Sequence, residues 1–290
     1  MGAAITRREV LKSSAGILGL GMLGAYEAFA MDKRSRFKIG ACDWSIQKMS
    51  EVQAMEVGKK IGLDGVQISL GSLANDMHLR QTSIQQQYKD ACSEYGISIG
   101  GIAIGEMNNI PYKSDPRAEL WVSDSIDVAK KMDVKVVLLA FFHNGDLKND
   151  LKGTQETIRR LKKVSRKAED NGIILGIESW LSAEEHMEII SAVGSPNVKV
   201  YYDVANSNKM GYNIYEEIRW LGKKHICEFH AKENGFLLGQ GRIDFAEVKK
   251  AIDEIKYEGW IQIEGAVPEN ADMFDSYVLN NKYLRSVLKI

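Results

Sequence analysis

The sequence predicts an α/β fold, a single (β/α)8 barrel preceded by a cleavable export signal. Three observations predict it. Short apolar runs alternate with longer amphipathic ones from Phe37 onward, these runs number eight, and the first thirty residues carry a pattern foreign to both.

The amino-terminal pattern comes first. Arg7 and Arg8 in "TRREVLK" precede the apolar, glycine-rich run "AGILGLGMLGAY", and "AFA" at 28–30 offers small residues at the spacing a signal peptidase reads. Residues 1–30 look like a twin-arginine export signal. The competing readings are a membrane anchor or a poorly structured amino terminus, and the run is too short and too glycine-rich for a spanning helix. The expectation is therefore a mature protein without a stable membrane anchor, in the periplasm or cell envelope of a bacterium. Twin-arginine export carries folded proteins, often with a cofactor in place, which suits a metal enzyme.

Residues 31–290 have the length of one such barrel, roughly 250 residues. Two smaller domains would also fit that length, but no Pro-, Ser- or Gly-rich linker divides it. The 38 Lys and Arg nearly cancel the 39 Asp and Glu, and no segment concentrates the basic ones, so nucleic acid is not an expected partner. Cys42, Cys92 and Cys227 are odd in number and lack CxxC or zinc-finger spacing; they read as buried free thiols.

The apolar runs are "FKIGAC", "GVQIS", "ISIGGIAI", "VKVVLLAF", "IILGIES", "VKVYYDV", "HICEFH" and "WIQIEG", rich in Val and Ile and short enough for buried strands. Between them lie helical patterns such as "SIQQQYKDACSEYG", "TQETIRRLKKVSRKAEDNG" and "DFAEVKKAIDEIKYEG", the last opening on a capping box of Asp244 and Glu247. Gly62, Gly96, Gly172 and Gly259 precede strands where a helix should end, since glycine takes the left-handed terminating conformation without steric cost. Strands alternating with helices imply a parallel sheet, and eight units favour closure. An open nucleotide-binding sheet would show a glycine-rich phosphate loop after an early strand; "GACDWS" after the first strand is not one.

Active-site groups of a parallel barrel stand at the carboxyl ends of its strands. The fifth strand ends at Glu178, the sixth at Asp203, the seventh at His230 and the eighth at Glu264. Singly, each has an ordinary explanation: an ion-paired strand end for either glutamate, a cap on the "ANSN" turn for Asp203, a structural imidazole for His230. Together they place three carboxylates on one rim, where they repel one another unless a cation neutralises them. Three carboxylates and one imidazole suit one divalent metal ion, Mn²⁺, Mg²⁺ or Co²⁺, with Zn²⁺ the less natural choice.

With "YYDVAN", "FHAKEN" and "IEG" on these strands and "LGQGRIDF" between them, the chain resembles the sugar phosphate isomerase/epimerase family, the xylose isomerase-like TIM barrels, over essentially its whole mature length. The resemblance implies that Glu178, Asp203, His230 and Glu264 are metal ligands and that Glu178 and Glu264 also serve as an acid/base pair on opposite faces of a bound sugar. It matches Glu184 to a carboxylate that contacts the sugar and a catalytic glutamate; alternatively Glu184 is a solvated residue in the acidic helix start "AEEHMEII". The sequence departs from the ketose 3-epimerases at Asn206, where they carry His, and at Phe236, where they carry Arg.

Other polar residues near strand ends are candidates for substrate contact. His143 after the fourth strand would hydrogen-bond sugar hydroxyls or relay a proton, Lys232 would bind an enolate oxygen, and Glu106 and Trp44 would line the pocket, Trp44 by stacking. Loop solvation, and core packing for Trp44, are the competing accounts. The implied function is a divalent-metal-dependent sugar isomerase or epimerase acting on a small-molecule carbohydrate, by proton abstraction next to a carbonyl through an enediolate. A lyase or dehydratase acting on keto-sugars or 3-keto-glycosides is the alternative; a non-catalytic sugar-binding barrel is a third reading, and assembly into a homo-oligomer is compatible with all three.

Overall fold

The computed structural model describes residues 35–290. The export signal expected at residues 1–30 lies outside the described residues. The strands are β1 (Phe37–Cys42), β2 (Gly65–Ser69), β3 (Ser98–Ile104), β4 (Val136–Phe141), β5 (Ile174–Ser179), β6 (Val198–Asp203), β7 (Ile226–Glu233) and β8 (Gly259–Gly265). Each pairs in parallel with its sequence neighbour, and β1 pairs with β8 to close the barrel. No helix among the described residues is long and apolar enough to cross a membrane.

The helices are α1 (Ala54–Ile61), α2 (Thr82–Tyr95), α3 (Pro116–Met132), α4 (Leu151–Asn171), α5 (Ala183–Val193), α6 (Val204–Lys209), α7 (Ile214–His225), α8 (Phe245–Glu254) and α9 (Met273–Leu288). Local chemistry explains their ends. Asp115 accepts from the Arg117 amide with Pro116 in the first turn of α3, and Ser182 and Glu185 form a reciprocal capping box on α5. Gly62, Gly96 and Gly172 terminate α1, α2 and α4 in the left-handed conformation, as expected. Gly259 does not: it opens β8 at φ 142°, and the turn after α8 is made by Lys256 at φ 55°. The Asp244 box is half realised, because Asp244 accepts from the Ala246 and Glu247 amides while the Glu247 carboxylate turns to Arg219.

Strand alternation decides what faces inward. On β4, Val137, Leu139 and Phe141 join the main apolar core, while Val136, Leu138 and Ala140 join a separate cluster with Ala103, Phe142 and Tyr201. The same parity on the other strands keeps Ile177, Tyr202, Phe229, Ala231, Ile261 and Ile263 in the main core. It turns Glu178, Asp203, His230 and Glu264 into the barrel. The seventh strand extends three residues past His230, because β8 continues alongside it and pairs Lys232 with Glu264 and Glu233 with Gly265. His230 is thus three residues inside the strand's end, opposite Asp203 on one side and Gln262 on the other.

The interior is not apolar throughout. Gln67, Glu228 and Gln262 are all buried within the strands. Room for Gln262 comes from missing side chains: a Cβ on Gly40 would lie 2.0 Å from its Oε1, and one on Gly100 2.5 Å from its Nε2.

Candidate active site

Glu178, Asp203, His230 and Glu264 converge as the strand ends require: one ligand atom from each lies within 4.8 Å of every other. His230 Nδ1 is 2.9 Å from Glu178 Oε1, 3.3 Å from Glu264 Oε2 and 3.7 Å from Asp203 Oδ2. Asp203 satisfies two readings at once. Its Oδ1 accepts from the Ala205 and Asn206 amides and caps α6, whereas its buried Oδ2 has no hydrogen-bond partner and belongs to the cluster. A buried carboxylate oxygen without a hydrogen bond, among three other hard or borderline donors, fits a divalent cation.

The electrostatics of the cluster separate its two glutamates. Burial pushes the Glu178 carboxyl up to about 7, with repulsion from Glu264 and Asp203 and against the pull of His230. Burial acts on Glu264 in the same sense, but His230 and Lys232 overcome it and hold Glu264 well below the usual carboxylate range. Lys232 Nζ lies 2.8 Å from Glu264 Oε2 and 3.5 Å from Asp203 Oδ2. Burial would lower the Lys232 pKa, and the charges of Asp203, Glu264 and Glu178 more than reverse this. The other Glu264 oxygen accepts from Trp44 Nε1 at 2.9 Å.

A cavity of about 520 Å³ opens over the cluster, within the usual range for small-ligand sites. Trp44, Glu106, His143, Glu178, Lys232 and Glu264, all expected from the sequence, line it. Trp44 contributes a hydrogen bond to Glu264 in addition to its ring face, and Glu106 accepts from the Leu73 amide and the Asn109 side chain. His143 stands at φ 51° in a short 3₁₀ turn, its ring edge-on to Trp180 at 5.7 Å. Glu184 is not brought to this cavity. The Ser182–Glu185 box orients the first turn of α5 so that Ala183 and His186 are buried and Glu184 points outward, into a separate cleft with Tyr212, Asn213 and Trp220.

Trp180, Phe142 and Ser69 also line the cavity and were not singled out from the sequence. Trp180 follows a strand end by one residue, a signal that placement at the rim makes readable. Ser69 gave none: it is held by Asp43, whose buried carboxylate accepts from the Ser69 amide and hydroxyl and from the Ser50 amide. Desolvation pushes Asp43 up to about 6 against these hydrogen bonds.

Residues 55–277 match the family described as the xylose isomerase-like TIM barrel. The chain belongs to that family. Among curated relatives, D-psicose 3-epimerase of Enterocloster bolteae is 23% identical over 224 residues, covering 71% of this chain and 73% of that protein. Among solved structures, D-psicose 3-epimerase from Clostridium cellulolyticum H10, with D-tagatose, superposes with a TM-score of 0.73 at 20% identity, over 87% of this chain and 99% of that one. A 3-keto-D-glucoside 4-epimerase from E. coli gives a TM-score of 0.71 at 14% identity, over 86% and 99% of the two chains. At these identities the structural likeness carries the fold. These three relatives of this xylose isomerase-like barrel are sugar epimerases, enzymes of the isomerase class.

Proposed function

We propose that the protein is a divalent-metal-dependent isomerase that moves a proton at the carbon next to the carbonyl of a keto-sugar, through an enediolate, giving an epimer or an isomer. The convergence of three carboxylates and one imidazole in a buried cluster, with Asp203 Oδ2 making no hydrogen bond, is the observation that carries this reading. Glu178, Asp203, His230 and Glu264 would hold the ion, Mn²⁺, Mg²⁺ or Co²⁺ by the hardness of the donor set. When bound, it supplies Lewis-acid stabilisation of negative charge developing on the substrate oxygens.

The chain's own groups do the rest. Glu178 and Glu264 line the cavity from different strands and are the proton-transferring pair. Trp44 and Lys232 fix both oxygens of Glu264, whereas Glu178 is held through one oxygen by His230. Trp44, Phe142 and Trp180 offer apolar faces to a sugar ring; Glu106, His143 and Asn206 offer polar groups to its hydroxyls. Epimerase names among the relatives support a carbohydrate substrate.

Turnover of keto-sugars in D₂O should place deuterium at the carbon next to the carbonyl, in protein that carries about one divalent ion per chain by elemental analysis. Absence of metal after incubation with Mn²⁺ or Co²⁺, or complete retention of the carbon-bound hydrogen during turnover, would sink the proposal. Departure of a β-substituent with formation of an unsaturated product would assign the barrel to the lyases.

We also propose that residues 1–30 direct twin-arginine export. Replacing Arg7 and Arg8 by Lys should leave the precursor in the cytoplasm, because the receptor reads the guanidinium pair and not charge alone. Unchanged processing of that double variant in fractionated cells would contradict it.

A further inference from the structure

The barrel's pairing is regular except at two places, where the register shifts between Val66 and Gln67 against β3 and between Val200 and Tyr201 against β7. The extra residue belongs to the partner strand in each case, Gly100 on β3 and Cys227 on β7. Opposite them, Gln67 and Tyr201 keep the alternation of their own strands and face inward, where they meet. Gln67 Nε2 donates to the Tyr201 hydroxyl at 3.0 Å, and Tyr201 donates to Glu228 Oε2 at 3.1 Å. The other end of the Gln67 amide faces the ligand cluster: its Oε1 lies 2.9 Å from His230 Nε2 and accepts from the Cys42 thiol at 3.2 Å. Gln67 and His230 are fully buried and Tyr201 and Glu228 nearly so, so water does not substitute for these partners. Gly101 borders the crossing: a Cβ there would lie 3.3 Å from Glu228 Oε2 and 3.4 Å from Gln67 Nε2.

These contacts run in one direction, from imidazole N–H to amide oxygen, from amide N–H to phenol oxygen, and from phenol O–H to carboxyl. Rotating the Gln67 amide by half a turn would aim its NH₂ at His230 Nε2 and at the thiol. The imidazole would then accept at Nε2 and carry its proton on Nδ1, the atom that faces Glu178, Asp203 and Glu264. A protonated Nδ1 cannot ligate.

We propose that Gln67, oriented by Tyr201 and Glu228, is a positioning residue that keeps the His230 proton on Nε2 and so leaves Nδ1 as the ligating atom. This inference rests on the metal-binding reading above and adds to it a group that touches neither metal nor substrate. Outer partners of ligating histidines commonly change metal affinity by about 10- to 100-fold.

The test measures Co²⁺ affinity of the folded protein by calorimetry, alongside the imidazole ¹⁵N shifts and the Nε2 proton resonance of His230. Gln67→Met, which keeps the volume and removes the acceptor, should weaken Co²⁺ binding by about 10- to 100-fold and shift or broaden the Nε2 proton signal. Tyr201→Phe keeps the ring that packs 4.6 Å from the imidazole and removes only the hydroxyl. It should weaken binding several-fold in a protein that melts lower than the parent but remains folded, which covers the case in which Gln67→Met does not fold. Parental Co²⁺ affinity in both folded variants would overturn the inference. So would parental protein in which Nε2 is the unprotonated nitrogen. If the parental protein binds no Co²⁺ at all, the metal reading falls, and the Nε2 proton resonance in parent and Tyr201→Phe still decides whether Gln67 directs the imidazole.

Discussion

The two halves of the barrel mouth are built from opposite chemistry on one backbone plan. On β3 and β4 the inward positions are Ala103, Leu138 and Ala140, continued by Phe142, and they pack as an apolar cluster. On β5 to β8 the corresponding positions carry Glu178, Asp203, His230, Lys232 and Glu264. Both halves follow the period-two alternation of a strand, and the outward positions are apolar in each. The division of labour is therefore a matter of which side chain occupies an inward slot. The apolar half gives the cavity its wall and contributes to stability; the polar half gathers carboxylates that repel one another, offset by His230 and Lys232.

The largest expected effect is on the polar half. Glu178→Gln and Glu264→Gln should each lower proton exchange into substrate by about 10²- to 10⁴-fold, the usual contribution of a positioned acid or base, while some metal binding persists through the amide oxygen. The check is NMR of substrate in D₂O. Unchanged exchange in both would remove the glutamates from the chemistry and turn attention to His143 and Lys232, which line the same cavity.

Leu138→Ala sharpens the comparison from the apolar half. Leu138 is buried but borders the cavity, so the loss should be about 2–3 kcal/mol, the low end for such truncations, measured by chemical denaturation. Metal affinity should stay at the parental level. A Leu138→Ala protein of full stability that fails to hold metal would show that the two halves are not separable.

The smallest effect concerns the support behind β5. His186 is buried, with Nδ1 on the Ser182 carbonyl and Nε2 on the Ser179 hydroxyl. Burial draws its pKa down to about 4, only partly offset by the Ser182 carbonyl and Glu185. The native state therefore prefers the neutral ring. Its contribution is complete above the unfolded value near 6.5 and is lost as pH falls toward 4, by about 2 kcal/mol at pH 5. Denaturation of parent and His186→Gln at pH 7.5 and pH 5 isolates it: the variant should lose less over that interval. Equal losses in the two proteins would mean that the acid sensitivity lies elsewhere.

The cluster of Glu178, Asp203, His230 and Glu264 was legible because barrel topology makes sequence position informative: the carboxyl ends of consecutive parallel strands share a rim, so the four could be grouped from sequence alone. The eight strands and three of the four helix-ending glycines were legible for a similar reason, since short Val- and Ile-rich runs and a left-handed cap are local properties. Gly259 was misread as a cap because a glycine before a strand looks the same whether it ends one element or begins the next.

What the tertiary structure alone decided lies wherever partners are distant along the chain. Glu184 is close to Glu178 in sequence yet leaves the site, because the turn between strand and helix sets its direction and the capping box holds it there. Trp44 reads as a stacking ring, but its indole N–H reaches Glu264, 220 residues away, only after β1 closes on β8. Gln67 and Tyr201 gave no signal at all. Each is one inward residue of an apolar strand, and only the pairing of distant strands brings the two together beneath His230. By itself the sequence determined which groups could do chemistry. Barrel closure and strand register decided which of them hold one another in place, because those contacts exist only between segments that the chain separates.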